Sequence, residues 1–186
     1  MIACAFKNQL KEAREGLKNL ELLMKKPKFE ALRDTLNGYQ TGLRNNFKDI
    51  CNTQKEMIKE FIKVSITTSE LILFTKLKAD IYRYLAEHAP TTEARANGKA
   101  KAHNEYRRAA LYCKHERDLL EEHRIERVSP INLGVYLNQA IFDYEIEKEK
   151  KKALRSLKLQ IREALDAFDK WQPHDFEKIK HQVELI

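Results

Sequence analysis

Lys76-Leu77-Lys78-Ala79-Asp80-Ile81-Tyr82-Arg83-Tyr84-Leu85-Ala86-Glu87 decides the fold class of this chain. Leu77, Ile81 and Leu85 recur every four residues and continue an upstream stripe of Leu71 and Phe74. That spacing places apolar side chains on one side of a helix. Thr67 with Glu70 forms a capping box ahead of the segment, and Pro90 stops it, so a helix over about 68–88 is predicted. Within it Arg83 and Tyr84 stand side by side. A guanidinium fork beside a phenol hydroxyl is a good pair of donors for a phosphate group.

The rest of the chain follows the same pattern. Five Gly and four Pro punctuate 186 residues, while helix formers dominate, so few turns are encoded and the fold class is all-α. With 42% hydrophobic residues the chain can bury one substantial core, and a single domain over 1–186 is expected. A net charge of +7 favours anionic partners without choosing among phosphorylated peptide, nucleic acid and acidic membrane. Aliphatic and aromatic runs such as Leu71-Ile72-Leu73-Phe74 are too short to span a bilayer, and the N-terminus lacks signal-peptide character. A soluble, cytoplasmic protein is expected.

Cys4, Cys51 and Cys113 are odd in number and far apart, without a CxxC or paired-histidine motif. They suggest buried free thiols rather than a disulfide framework or a zinc site. There is no nucleophile elbow, phosphate-binding glycine loop or metal-ligand spacing, so neither an enzyme nor a cofactor or metal is expected.

Apolar period yields about seven helices in antiparallel stacking. The first carries Ala3, Phe6, Leu10, Ala13, Leu17 and Leu20 and ends before Pro27. The second runs over about 28–62 with Leu32, Leu36, Leu43, Phe47, Ile50, Met57 and Phe61 inward, and Gly38 as a possible bend. A fourth follows Thr91 or Thr92 to about Glu122, with Tyr106, Ala110, Cys113 and Leu120 inward and Gly98 near a frayed start. Ser129 and Pro130 open a fifth, to about Ile146. The sixth, over about 147–170, buries Leu154, Leu157, Ile161, Leu165 and Phe168. Phe176, Ile179, Val183 and Ile186 begin a seventh.

Two further groups of residues can carry binding chemistry. Lys7 and Arg14 lie two helical turns apart and share a face, which Lys11 and Lys18 extend into a cationic ridge; a solvated face is the bland alternative. On the fifth helix Gly134, Asn138, Ile141 and Glu145 fall at helical spacing with Leu137 beside Asn138. An amide among apolar groups suits an extended peptide, since it can bond both peptide N–H and C=O; the alternative makes Asn138 a polar bridge between helices.

Ala5-Phe6-Lys7-Asn8, Lys48-Asp49-Ile50-Cys51-Asn52, Tyr82-Arg83-Tyr84-Leu85-Ala86-Glu87, and Leu133-Gly134 through Leu137-Asn138 to Tyr144-Glu145-Ile146 resemble 14-3-3 proteins, in the family's order and over nearly the whole chain. The resemblance implies an α-helical adaptor whose concave groove binds phosphoserine or phosphothreonine in extended segments of client proteins, without catalysis. It implies that Lys7, Arg14, Arg83 and Tyr84 hold the phosphate and that Asn138 bonds the peptide backbone. Leu137, Ile141 and Leu185 would line the apolar wall, with Lys76 and Glu145 at further groove positions. A phosphate carrying about −1.5 to −2 charge needs several converging donors, and two Arg, a Lys and a Tyr supply them. Three unliganded cations repel one another, so loss of the phosphate should remove much of the binding energy.

The pattern also departs from the family. This chain begins at the position of the family's third helix, whereas members dimerise through their first two. Gly42 and Asn46 replace charged dimer-contact positions, although Tyr39 is kept, so a monomer or an unusual homodimer is expected. The sequence stops at Ile186, before the Asn and Trp that complete the family's peptide clamp, and His181 and Gln182 replace apolar groove residues. The charged stretch 114–128 is longer than its family counterpart, and +7 departs from the family's acidic balance. Two rival readings remain. One is a basic nucleic-acid module using Arg95, Lys99, Lys101, Arg107 and Arg108, though without a recognised motif. The other is a tetratricopeptide-like peptide scaffold, for which no sustained repeat is visible.

Overall fold

The computed structural model describes residues 2–122 and 129–166. Among them are α1 (Ile2–Met24), a 3-10 turn (Pro27–Leu32), α2 (Arg33–Val64), α3 (Thr68–Glu87), α4 (Thr92–Glu122), α5 (Pro130–Glu145) and α6 (Lys150–Asp166), and no strand. The all-α expectation holds. The expected seventh helix, Phe168 and Leu185 lie outside the described residues. The chain divides into two compact units, residues 1–59 and 60–186.

In the first unit α1 and α2 run antiparallel. Gln54 Nε2 donates to the Phe6 carbonyl at 3.3 Å and to Gln9 Oε1 at 2.9 Å, and Arg44 pairs with Glu21 at 3.6 Å toward the other end. Phe6, Leu10, Leu17 and Leu20 of α1 are buried as their spacing predicts. The buried stripe of α2 is rotated from the expected one: it runs Phe47, Cys51, Gln54, Ile58, while Met57 is exposed. Leu32 is exposed in the 3-10 turn that Pro27 opens. A helix with apolar residues on two adjacent faces has an ambiguous inner side, and the neighbouring element selects it. Gly38 lies within α2, which continues through it.

The second unit carries α3 to α6. Thr67 Oγ1 accepts from Glu70 N at 3.2 Å, and Glu70 Oε2 accepts from Thr67 N at 3.0 Å, completing the capping box. The backbone N–H groups of Thr67 and Ile66, both donating to Glu70 Oε2, hold the Glu70 carboxyl below its ordinary value. Helices α3 and α4 are antiparallel, joined by ion pairing of Lys78 with Glu105 and by Ser69 Oγ donating to Glu116 Oε1. Glu116 also accepts from Asn132 Nδ2 at 2.9 Å, which ties in the start of α5.

At Gly98, α4 packs closely against α3. A Cβ there would meet the Ala86 Cβ at 3.0 Å and its Cα and N at 3.1 Å, so Gly98 marks tight packing instead of the frayed start expected from sequence.

Among the described residues of the unit, apolar side chains gather in three clusters. Ile72, Ala109, Cys113 and Val135 form one, Ala79, Ala102, Tyr106 and Phe142 the second, and Leu133 with Ala164 the third. Helix α6 contributes Ala153 and Ala164, whereas Leu154 and Leu165, expected inside, are exposed. Small residues let α6 approach closely and thereby choose its phase. Cys51 and Cys113 are buried free thiols, and burial pushes each up to about 12.

Candidate functional site

A buried polar cluster in the second unit centres on Asp80. Its carboxylate is 3% exposed, among apolar walls where an unpaired charge would be very costly. The helical spacing of α3 supplies two cations on the same side: Lys76, one turn before, and Arg83, just under one turn after. Lys76 Nζ donates to Asp80 Oδ2 at 3.0 Å, and the nearest terminal nitrogen of Arg83 stands 3.8 Å from Oδ1.

Two neighbouring helices complete the ring of donors. From α4, the Tyr106 hydroxyl donates to Asp80 Oδ1 at 2.5 Å while accepting from Arg83 Nε at 3.2 Å. From α5, Asn138 Nδ2 donates to both carboxylate oxygens, at 2.8 and 2.9 Å.

The electrostatics follow from this arrangement. Burial pushes the Asp80 carboxyl up, but Lys76, Arg83 and the Tyr106 hydroxyl together hold it below its ordinary value. Burial opposes the charge on Arg83, and its neighbours Tyr106, Tyr84 and Asp80 outweigh that, so the guanidinium stays charged. Burial and the adjacent Asp80 raise Tyr106, which keeps its proton and remains a donor. Among the described residues, the buried cations Lys76 and Arg83 thus share the one carboxylate of Asp80, which leaves a positive charge in excess within this cluster. Arg83, 6% exposed, lies with its Cζ over the Tyr84 ring, 4.4 Å from the centroid, so the pair read from sequence makes a cation–π contact.

Of the residues singled out from sequence, Lys76, Arg83 and Asn138 meet at Asp80, and Tyr84 adjoins them through Arg83. Leu137 is buried and Ile141 half-buried on α5; Glu145, the last residue of that helix, is exposed. The bridging alternative for Asn138 is realised, since its amide nitrogen links α5 to α3. Lys7 and Arg14 sit on α1 in the first unit, where Arg14 is half-buried and lowers the Cys51 thiol electrostatically without offsetting its burial.

On α4, Lys99 pairs with Glu147 at 3.0 Å, Arg108 with Glu105 at 3.8 Å, and Lys101 sits over the Tyr82 ring, so its basic face is partly neutralised.

Sequence reasoning missed Asp80 and saw Tyr106 only as core. The spacing of Lys76, Asp80 and Arg83 was a usable signal for the first. Nothing in the local sequence marks Tyr106, because its partners stand 23 and 26 residues away.

Among the described residues, no helix is long and apolar enough to cross a membrane, and no group of three His, Cys, Asp or Glu is arranged to hold a metal ion.

Helix pairing and this buried cluster define a class: an all-α array of antiparallel helices with cationic and phenolic groups gathered on α3 and α4 and an amide on α5. The family model described as "14-3-3 protein" matches residues 1–186, and the chain belongs to the 14-3-3 family. It is 26% identical over 171 residues to 14-3-3 protein beta/alpha of Gallus gallus, covering 91% of this chain and 66% of that protein. To 14-3-3-like protein 1 of Caenorhabditis elegans it is also 26% identical over 171 residues, 91% of this chain and 65% of that one. A 14-3-3 protein of Eimeria tenella is 30% identical over 132 residues, 70% of this chain and 44% of its own length. The chain spans just under two thirds of the length of the first two relatives.

Proposed function

We propose that this protein is a phosphopeptide-binding adaptor that recognises phosphoserine or phosphothreonine in extended segments of client proteins and acts by clamping them, without catalysis. The observation that carries the reading is the excess buried cation at Arg83, Lys76 and Asp80. A phosphate of about −1.5 to −2 charge is an anion able to take up that excess through charge-assisted bonds.

Arg83 and Tyr84 serve as phosphate ligands in this reading, with Lys7 and Arg14 as the further cations and Lys76 supporting them. Asn138 meets the peptide backbone through its amide, whose nitrogen already bonds Asp80, so Oδ1 is the atom offered to a peptide N–H. Leu137, Ile141 and Leu185 form the apolar wall, and Glu145 meets the peptide at the exposed end of α5. Family membership supports the adaptor role in general terms. The partial pairing of the basic face of α4 weighs against the nucleic-acid alternative.

Fluorescence anisotropy of a labelled phosphoserine peptide and its unphosphorylated twin tests the reading, using the unaltered chain and the Lys7→Glu and Arg83→Lys variants. Binding of the phosphorylated peptide alone, weakened in both variants, is the expected result. Equal binding of the two peptides would overturn it.

A further inference from the structure

We infer that Tyr106 is a positioning residue for ligand binding: its hydroxyl, wedged between Asp80 and Arg83, fixes the plane of the Arg83 guanidinium. The inference rests on the phosphate-binding reading above and adds to it a residue on α4 that the motif pattern did not contain.

The geometry is directional. A phenol oxygen has one proton and accepts through its lone pairs. The Tyr106 proton goes to Asp80 Oδ1 at 2.5 Å, which turns its lone pairs toward Arg83 Nε at 3.2 Å. The opposite polarity is closed to it, because Nε of a guanidinium cannot accept. Tyr106 itself has little room to move: it is fully buried, packs with Ala79, Ala102 and Phe142, and its ring centroid is 5.5 Å from that of Phe142.

Arg83 is therefore held at two points. Nε is bonded to Tyr106 and Cζ lies over the Tyr84 ring. Nε is committed to Tyr106 and one terminal nitrogen stands 3.8 Å from Asp80 Oδ1, too far for a hydrogen bond, so the terminal nitrogens are the donors offered to an anion, in a plane set by α4 as well as α3. Preorganised donors lose less freedom on binding, and an arginine offers two parallel bonds only when its plane is correct. Asp80 extends the same register to α5, because the carboxylate that orients Tyr106 also bonds Asn138 Nδ2. The groups proposed to grip the phosphate and the peptide backbone are thus coupled through one buried carboxylate.

The test uses the full chain with 15N-labelled arginine, the phosphoserine peptide and its unphosphorylated twin, and the variants Tyr106→Phe, Arg83→Lys and their combination. Tyr106→Phe keeps the ring and removes only the hydroxyl. The expected result is a shift of the Arg83 Nε–H resonance in the peptide-free protein and about a tenfold loss of affinity for the phosphorylated peptide, the size of one lost charge-assisted hydrogen bond. Binding of the twin should not change. Because Lys cannot make the Nε bond, Arg83→Lys should lose affinity as well, and adding Tyr106→Phe to it should cost nothing more.

An unmoved Nε–H resonance overturns the inference, as does a folded Tyr106→Phe protein that binds phosphopeptide like the unaltered chain. If Tyr106→Phe fails to fold, Arg83→Lys decides: unchanged affinity with Lys there overturns the positioning role. If the unaltered chain binds both peptides equally, the phosphate-binding reading fails and Tyr106 loses its role in binding. The Nε–H shift then still separates that failure from an absence of the Tyr106–Arg83 bond.

Discussion

Among the described residues, Asp80 and Asp143 are the two buried carboxylates of the second unit, 3% and 2% exposed, and their protonation chemistry is pushed in opposite directions. Burial raises both. Around Asp80, Lys76, Arg83, Tyr106 and Asn138 converge from three helices, and Lys76, Arg83 and Tyr106 hold the carboxyl below its ordinary value. Asp143, near the end of α5, has Lys152 Nζ at 3.3 Å, from a half-exposed side chain that Glu149 shares at 2.8 Å. That partner does not offset burial, and the carboxyl is raised. The contrast teaches that depth alone does not decide whether a carboxylate stays charged; the number and rigidity of its donors do.

The largest effect expected from breaking this contrast is that of Asp80→Ala. It leaves Lys76 and Arg83 buried without a counter-charge and should cost about 3–5 kcal/mol in urea unfolding. A cost below about 1 kcal/mol would mean that the cluster relaxes into solvent. Next comes the close contact that brings α4 against α3. Gly98→Leu forces a side chain onto the Ala86 backbone and should lose about 1–3 kcal/mol by the same measurement. Thr67→Ala removes the side-chain acceptor of the capping box and should cost about 1 kcal/mol, seen as a lower melting temperature.

Asp143→Asn should have the smallest effect at neutral pH, within about 1 kcal/mol of the unaltered chain and on the stabilising side, because it removes a charge that burial disfavours.

The pH dependence gives each carboxylate a sign. Asp80 has a folded value below the ordinary 3.8, so its contribution is present above that value and is lost as pH falls through the folded one. For Asp143 the folded value is above 3.8, so its penalty is full above the folded value and disappears as pH falls toward 3.8. Unfolding curves from pH 7 to pH 3.8 should therefore bring Asp143→Asn and the unaltered chain together. Curves that diverge as pH falls would reverse the assignment made for Asp143.

Much of this architecture was legible in the chain itself. Thr67, Glu70, Pro90 and Pro130 mark helix ends because caps and proline act locally, and the helices begin and end close to them, whereas Ser129 stands at the N-cap position of α5 without a side-chain capping bond. Burial was less legible. The inner face of α2 and the outward Leu154 and Leu165 of α6 depend on which neighbour each helix meets, and that information is spread over the chain. The proposed site divides in the same way. Arg83, Tyr84 and Asn138 carry a recognisable local pattern, whereas Tyr106 looks like any core aromatic until α4 brings it to Asp80.

Composition, apolar period and helix-end chemistry settled on their own that this chain is all-helical, where most helices begin, and which cations and amide were worth following. Those properties are set within a few residues of each position. Tertiary structure alone decided that Lys76, Arg83, Tyr106 and Asn138 share one carboxylate, and that Asp80 remains ionised while Asp143 is pushed toward its neutral form. Both depend on donors contributed by separate helices at hydrogen-bond distance inside a low-dielectric interior, where a single added or missing partner changes which charge state is stable.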